Sequence, residues 1–351
     1  MNRITVLFNI LFISALAVGS ARADNNPLSE RKKTIVKVYD VTAKDHLVIE
    51  NQFGNVNINV WNRDEIRVDI TVKANASSDE RVQKYLDAVE INEKRSGDQI
   101  SLKTTLDKSG FGGNWVMNRT KDGEKNGVQI DYQVSMPKTN PLTIKNSFGN
   151  TNVPTFSGPL TINQQYGNFS TTELNSDNVN VDVRFGKADI QAMENGKLNI
   201  QYSKLQLEKA NNINLNNQFG GLWIGEVKRL DGKIGYSGAK IGTVKESCNV
   251  KLDFSGGFKI DQLTKSVDNI DIQANYSSVV LPMANASDYN FDVTVSYGGF
   301  KYPNDGRMMM TTQPSDDDRG PKLTKQYSGK VGKGTTTRVR VVSKFGDVKF
   351  Q

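Results

Sequence analysis

His46 and Cys248 are the single histidine and single cysteine in 351 residues. That scarcity removes Ser-His-Asp and Cys-His nucleophile sets, most histidine-based metal chemistry and any disulfide framework. His46 stands between Lys44-Asp45 and Leu47, a loop or strand-edge setting. Cys248 takes a place filled elsewhere by Ile213 or Leu230, and reads as a small buried hydrophobe. Carboxylates offer the remaining catalytic chemistry. Asp182 and Asp189 flank one aromatic residue, and Asp253 and Asp271 occupy related places later in the chain. Glycoside hydrolysis needs two carboxyl groups about 5–9.5 Å apart across a groove, and equivalent places on neighbouring strands lie about 4.8 Å apart. These four form no repeated row, and Lys or Asn fills many adjoining places. Solvated strand faces are the plainer reading, and no enzymatic activity is expected. Asp316-Asp317-Asp318 could attract Ca²⁺, but the run lacks the alternating ligands and the glycine of a calcium loop. No glycine-rich phosphate loop opens a helix, so no metal or cofactor is expected.

Three aromatics could touch a ligand or partner: Phe111 and Trp115 in a Gly-rich, charged stretch, and Trp223, out of phase with its inward neighbours. Such rings stack on sugars or on apolar patches. Phe111 and Trp115 equally suit covering the end of a stack of strands, where unpaired edges invite aggregation.

These side chains need elements to place them. The composition is 36% apolar and 24% charged, with 30 glycines and abundant asparagine. That describes a folded, turn-rich, thin-cored protein, with too little apolar bulk for a thick-cored α/β enzyme. A repeat accounts for it. An aromatic followed by Gly or Ser recurs at Phe148, Tyr166, Phe185, Tyr202, Phe219, Tyr236, Phe254, Tyr276 and Tyr297, spaced 17–22 residues apart, with outlying copies at Phe53-Gly54 and Phe345-Gly346. A fixed period near 20 residues is the mark of stacked repeats. Apolar residues favour positions −6, −4, −2, +3, +5 and +8 from the aromatic: Val179, Val181, Val183, Ala188, Ile190 and Met193 around Phe185. Alternation by two is strand periodicity. The parity break between 0 and +3 places a corner there, with Gly167, Gly186, Gly220, Ser203 and Ser237 supplying the tight backbone. The expected fold is all-β: a single-stranded parallel β-helix or β-solenoid with turns of about 17–22 residues, its aromatics stacked along the core. An antiparallel sandwich would not hold the aromatic in register through so many units.

Two segments depart from the repeat. Residues 77–91 read as an amphipathic helix, with Ser77 and Glu80 at capping-box spacing and Val82, Tyr85, Leu86 and Val89 on one stripe. That stripe packs on the first turns or serves a partner. An irregular, helix-containing insertion is expected over residues 72–127, and a long loop over residues 304–329. Residues 1–23 have the pattern of a secretory signal: Arg3, an apolar run from Ile4 to Val18, and Ala21-Arg22-Ala23 as cleavage site. The run is too short to span a membrane, and no later segment qualifies. One domain over residues 24–351 would follow. Losing Arg3 and Arg22 leaves 43 basic against 38 acidic residues, a scattered excess unsuited to nucleic acid.

The chain resembles the putative adhesin family of exported bacterial proteins, related to the auto-transporter adhesin head domain. The resemblance lies in Val48-Ile49-Glu50-Asn51-Gln52-Phe53-Gly54-Asn55-Val56, then Trp61 and Asp64-Glu65-Ile66-Arg67-Val68. It continues in Tyr132-Gln133-Val134-Ser135-Met136-Pro137 and in Ser343-Lys344-Phe345-Gly346-Asp347-Val348. It spans about residues 33–351. This chain departs from it by placing Phe or Tyr where many members carry Ser or Thr. The resemblance implies a β-solenoid at the cell surface or in the periplasm and supplies no catalytic residues. The expectation is a non-enzymatic, adhesin-like envelope protein binding surface polysaccharide or an envelope protein. A carbohydrate-active β-helix enzyme and a periplasmic regulatory partner are the alternatives.

Overall fold

The computed structural model describes residues 29–107, 127–283, 288–304, 306–314, 323–333 and 337–351. Among them are 25 strands and one helix, so the described residues are all-β apart from Asp79–Asp87. The chain forms two compact units, residues 1–170 and 171–351.

The second unit carries the repeat in its plainest form. Strands Lys187–Gln201, Lys204–Gln218, Leu222–Gly235 and Gly238–Asp253 lie side by side in parallel, with Lys187 opposite Lys204 and Leu205 opposite Leu222. Each strand therefore pairs with the chain one period further on. Position-by-position burial follows: Val179, Val181, Val183, Ala188, Ile190 and Met193 are all buried, as are their counterparts Leu198, Ile200, Leu205 and Leu207. Cys248 is buried in the same row, beside Leu230 and Ile270. The end of the chain does not extend this order. Strand Arg338–Lys344 inserts between Asn269–Asn275 and Tyr289–Ser296, parallel to both.

The first unit combines the same parallel pairing with antiparallel strands. His46–Gln52 runs parallel to Leu142–Ser147, which runs parallel to Leu160–Gln165. Beside them Ser29–Asp40, Glu65–Ala76 and Gly127–Pro137 pair antiparallel. Along Glu65–Ala76 every second residue from Ile66 to Ala76 is buried, leaving Arg67, Asp69, Thr71, Lys73 and Asn75 on the outer side.

Three expectations need correction. The helix is Asp79–Asp87, capped by Ser78 rather than Ser77, and Val89 opens a strand. Its apolar face still buries Val82, Tyr85 and Leu86. Residues 72–107 are mostly regular: Val89–Ser96 and Gln99–Leu106 form a hairpin turning at Gly97 (φ 58°), and Gln99–Leu106 joins the parallel pairing beside His46–Gln52. The stretch expected as a loop over 304–329 contains strands Met308–Thr312 and Thr324–Val331, paired antiparallel. Its polar, Gly-containing sequence hides a strand that gains its hydrogen bonds from Tyr289–Ser296.

Candidate functional site

The repeat places its aromatics outside, not in the core. Among the described residues, the eleven non-glycine residues with positive φ are Phe53, Phe148, Tyr166, Phe185, Tyr202, Phe219, Tyr236, Phe254, Tyr276, Tyr297 and Phe345, at 47–61°. Strand alternation would send position 0 inward, after inward −2 and outward −1. A left-handed turn at the aromatic itself reverses that direction and swings the ring out. All of these rings except Phe53 are 42–56% exposed.

The neighbouring Gly or Ser has a different task. A Cβ on Gly220 would overlap the carbonyl oxygen of Ser203, and one on Gly167 that of Gly149, because paired repeats approach closely there. Where serine stands instead, its hydroxyl turns into the corner. The amides of Gly186 and Gly220 donate to Ser203 Oγ (3.0 Å) and Ser237 Oγ (3.1 Å), and each serine donates to the carbonyl two residues before it (both 2.7 Å).

Parallel pairing brings the rings into ladders. In the first unit Phe53, Phe148 and Tyr166 stack at 5.1 and 4.8 Å. In the second, Phe185, Tyr202, Phe219, Tyr236, Phe254 and Tyr276 stack at 4.7–5.2 Å, their planes nearly parallel. Phe345 then sits between Tyr276 (4.6 Å) and Tyr297 (4.7 Å), carried there by the inserted strand. The insertion completes a strict Phe/Tyr alternation through eight rings, which the chain order alone breaks. The spacing is that of adjacent strands. Because faces cover one another, solvent meets ring edges and, at every second ring, a tyrosine hydroxyl.

A polar face adjoins this ladder. Asn216 donates to Asn199 Oδ1 (2.9 Å), and Asn199 Nδ2 in turn donates to Asp182 (2.6 Å). Asn212–Asn195–Asp177 and Asn269–Asn249–Asp231 repeat the chain (2.6 Å throughout the first, 2.6 and 2.9 Å in the second). Each amide row thus runs one way and ends on a carboxylate, a group that only accepts. Two hollows of about 660 and 520 Å³ lie on this face and share Asn214 and Asp231 as lining. Gly232 and Gly196 line them where larger residues would otherwise stand.

The carboxylates of interest are individually engaged. Asp182 pairs with Arg184 (2.9 Å), Asp189 with Lys187 (2.6 Å) and Asp271 with Arg340 (3.2 Å), while Asp253 accepts from Asn275 (3.0 Å). Hydrogen bonds from Lys145 and Lys103 hold the Glu50 carboxyl below its ordinary range, and Lys259 and Lys240 do the same for Asp261. His46 opens a strand, contacts Thr143 Oγ1 at 2.9 Å, and is lowered by burial. Burial pushes the Cys248 thiol up to about 12. Among the described residues, no group of three His, Cys, Asp or Glu could hold a metal.

Trp223 is half-buried on the outer side of Leu222–Gly235, its indole lying over Gly225, apart from the ladder. Phe111, Trp115, Asp316-Asp317-Asp318 and residues 1–23 lie outside the described residues. No described helix is long and apolar enough to cross a membrane. Sequence reasoning found every ladder residue but put the rings on the wrong side; the parity break beside each aromatic was the available signal.

The sequence matches no family model and no curated protein. The chain is similar to a solved putative cell adhesion protein from Clostridium sporogenes ATCC 15579 (11% identity, TM-score 0.23, 91% of this chain and 99% of that one). It is similar also to a putative adhesin from Bacteroides fragilis NCTC 9343 (10%, 0.35, 91% and 97%). A third is a putative lipid binding protein from Parabacteroides distasonis ATCC 8503 (14%, 0.32, 91% and 97%). Similarity at this level leaves the reading of the site to its own geometry.

Proposed function

We propose that this is an exported, non-enzymatic, adhesin-like protein of the bacterial envelope, folded as a parallel β-solenoid, whose outer surface binds a repeating polysaccharide. The observation that carries the reading is the row of half-exposed aromatics held in left-handed backbone. An L-residue in that conformation costs about 1–2 kcal/mol. Each ring in a ladder adds one stacking contact, worth about 0.5–1.5 kcal/mol. The two offset each other, so the ladder is close to neutral for stability and its surface is free to serve binding. A polymer with evenly spaced hydroxyls suits that surface. Amide rows recur at strand spacing and tyrosine hydroxyls at every second strand, each both donating and accepting, and adjoining hollows give a sugar chain a place to lie. Many weak contacts along the chain supply the affinity, with steep dependence on ligand length. The paired state of Asp182, Asp189 and Asp271 favours this over glycoside cleavage, which needs one carboxyl group free to deliver a proton.

Electrophoresis of the purified protein through gels containing soluble polysaccharides tests it. Retardation by at least one polymer, increasing with its length and absent for its monosaccharide, is the expected result. Retardation by none, or shortening of a polymer during the run, would overturn the reading.

A further inference from the structure

Lysines scattered along the chain gather on one side of the second unit. Lys240, Lys259, Lys349 and Lys301 are exposed and alternate with buried residues on strands Gly238–Asp253, Gly257–Leu263, Val348–Phe350 and Phe300–Lys301. Pairing sets them in one outward row, Lys240 opposite Lys259 and Lys349 opposite Lys301, with Val280 between the two pairs. Asp261 bridges the first pair, at 3.0 and 2.9 Å. The second pair has no such carboxylate: among the described residues, neither Lys349 nor Lys301 makes an ion pair. Asp347, two residues before Lys349, is held by the Gly299 amide instead (2.8 Å). Like charges set directly opposite on neighbouring strands destabilise a sheet, a cost that a bound anion would recover.

Between this row and the ring ladder the backbone is bare. Gly221, Gly238 and Gly257 lie side by side, two or three residues after Phe219, Tyr236 and Phe254. A Cβ on any of the three would meet nothing within 4 Å. At Gly221 and Gly238 neither crowding nor positive φ calls for glycine, in contrast to the crowded Gly220. Their effect is a trough, with ring edges and tyrosine hydroxyls along one side and ammonium groups along the other. Lys204, also exposed and outside any ion pair, takes the place of these glycines on the preceding strand and closes that end. Trp223 heads the lysine row opposite Lys240, but its indole leans away over Gly225 and leaves the strip uncovered.

We propose that this trough binds an acidic polysaccharide, its chain lying along the glycine strip with carboxylates on Lys349, Lys301 and the lysines beside them. Five ammonium groups against the carboxylates of Asp261 and Asp347 leave the trough basic. Its side chains recur at strand spacing, about 4.8 Å, so a polymer with regularly placed acidic groups meets one cation after another. Walls on both sides suit a chain rather than a flat membrane. The inference rests on the polysaccharide reading above, and adds to it the charge of the polymer and the side of the ladder on which it lies.

Titration calorimetry of the purified protein with size-matched fragments of polygalacturonate and of a neutral galactan tests it. Polygalacturonate should bind at least tenfold more tightly at low salt, an advantage that shrinks as salt screens the lysines. Replacing both lysines of the uncompensated pair, Lys301→Gln with Lys349→Gln, should weaken polygalacturonate binding at least tenfold and leave galactan as in the parent. That double variant should melt no lower than the parent, since it removes a repulsion. Gly238→Gln fills the strip while keeping every charge, and should weaken polygalacturonate binding likewise, which separates a trough from diffuse attraction. Parental affinity in either variant, or an oligonucleotide of equal charge binding as tightly as polygalacturonate, would overturn the proposal. Binding of galactan alone would overturn it too, while leaving the polysaccharide reading in place; retardation by no polymer in the gels described above removes that reading itself.

Discussion

A tyrosine at φ near +50° is strained by its Cβ, whatever its ring gains. At Tyr202 (φ 50°, 51% exposed) the ring stacks on Phe185 and Phe219, and the two effects can be separated by substitution. Tyr202→Ala keeps the strain and loses both stacking contacts, and should cost about 1–3 kcal/mol. That is below the 3–5 kcal/mol typical of removing a fully buried aromatic. Tyr202→Gly relieves the strain as well, and should be about 1 kcal/mol less harmful than alanine, reversing the usual order. Urea midpoints for the three proteins check this. Cys248 offers a second check at the same scale. Its thiol, raised to about 12 by burial, holds its proton through neutral and mildly alkaline pH. Iodoacetamide at pH 8.5 should leave the folded protein unlabelled and react once in denaturant, where the thiol returns to its ordinary value. Mass spectrometry reads both states.

At the scale of elements, where glycine follows the aromatic, as at Gly149, Gly167 and Gly220, a neighbouring carbonyl leaves no room for a Cβ. Two consecutive glycines make the contrast. Gly220→Ala drives a Cβ into the Ser203 backbone and should cost about 3 kcal/mol. Gly221→Ala meets nothing within 4 Å, and should change stability by zero to about 1 kcal/mol in the favourable direction. Thermal melts of both variants check the pair. This corner was only partly legible in the sequence. The alternation around Phe185 gave the strands and their inward residues correctly, because burial obeys a period of two. The side on which the ring lies depends on one backbone angle, whose trace in the sequence is the parity break beside each aromatic. The strands Met308–Thr312 and Thr324–Val331 escaped for another reason: Thr324–Val331 takes its hydrogen bonds from Tyr289–Ser296, distant in sequence and invisible to local pattern, and Met308–Thr312 then pairs on Thr324–Val331.

For the molecule as a whole, the composition takes on a cause. A thin core needs a few inward apolar residues per repeat, such as Val179, Val181 and Val183 before Phe185, while the outward places are free to carry asparagine, glutamine and charge. Parallel pairing then multiplies whatever one repeat displays. The inserted strand that carries Phe345 between Tyr276 and Tyr297 preserves the alternation of rings to the end of the second unit, so tyrosine hydroxyls recur at every second step. In the proposed reading these hydroxyls, and not the ring bodies, meet the sugar polymer, since the ring faces are already covered by one another. Replacing Tyr202, Tyr236 and Tyr276 together by phenylalanine removes three hydroxyls and leaves every stacking contact in place. The central test is polysaccharide retention of that triple variant beside the parent protein. The account predicts an unchanged melting temperature with retention weakened at least tenfold; equal retention by the two proteins would contradict it.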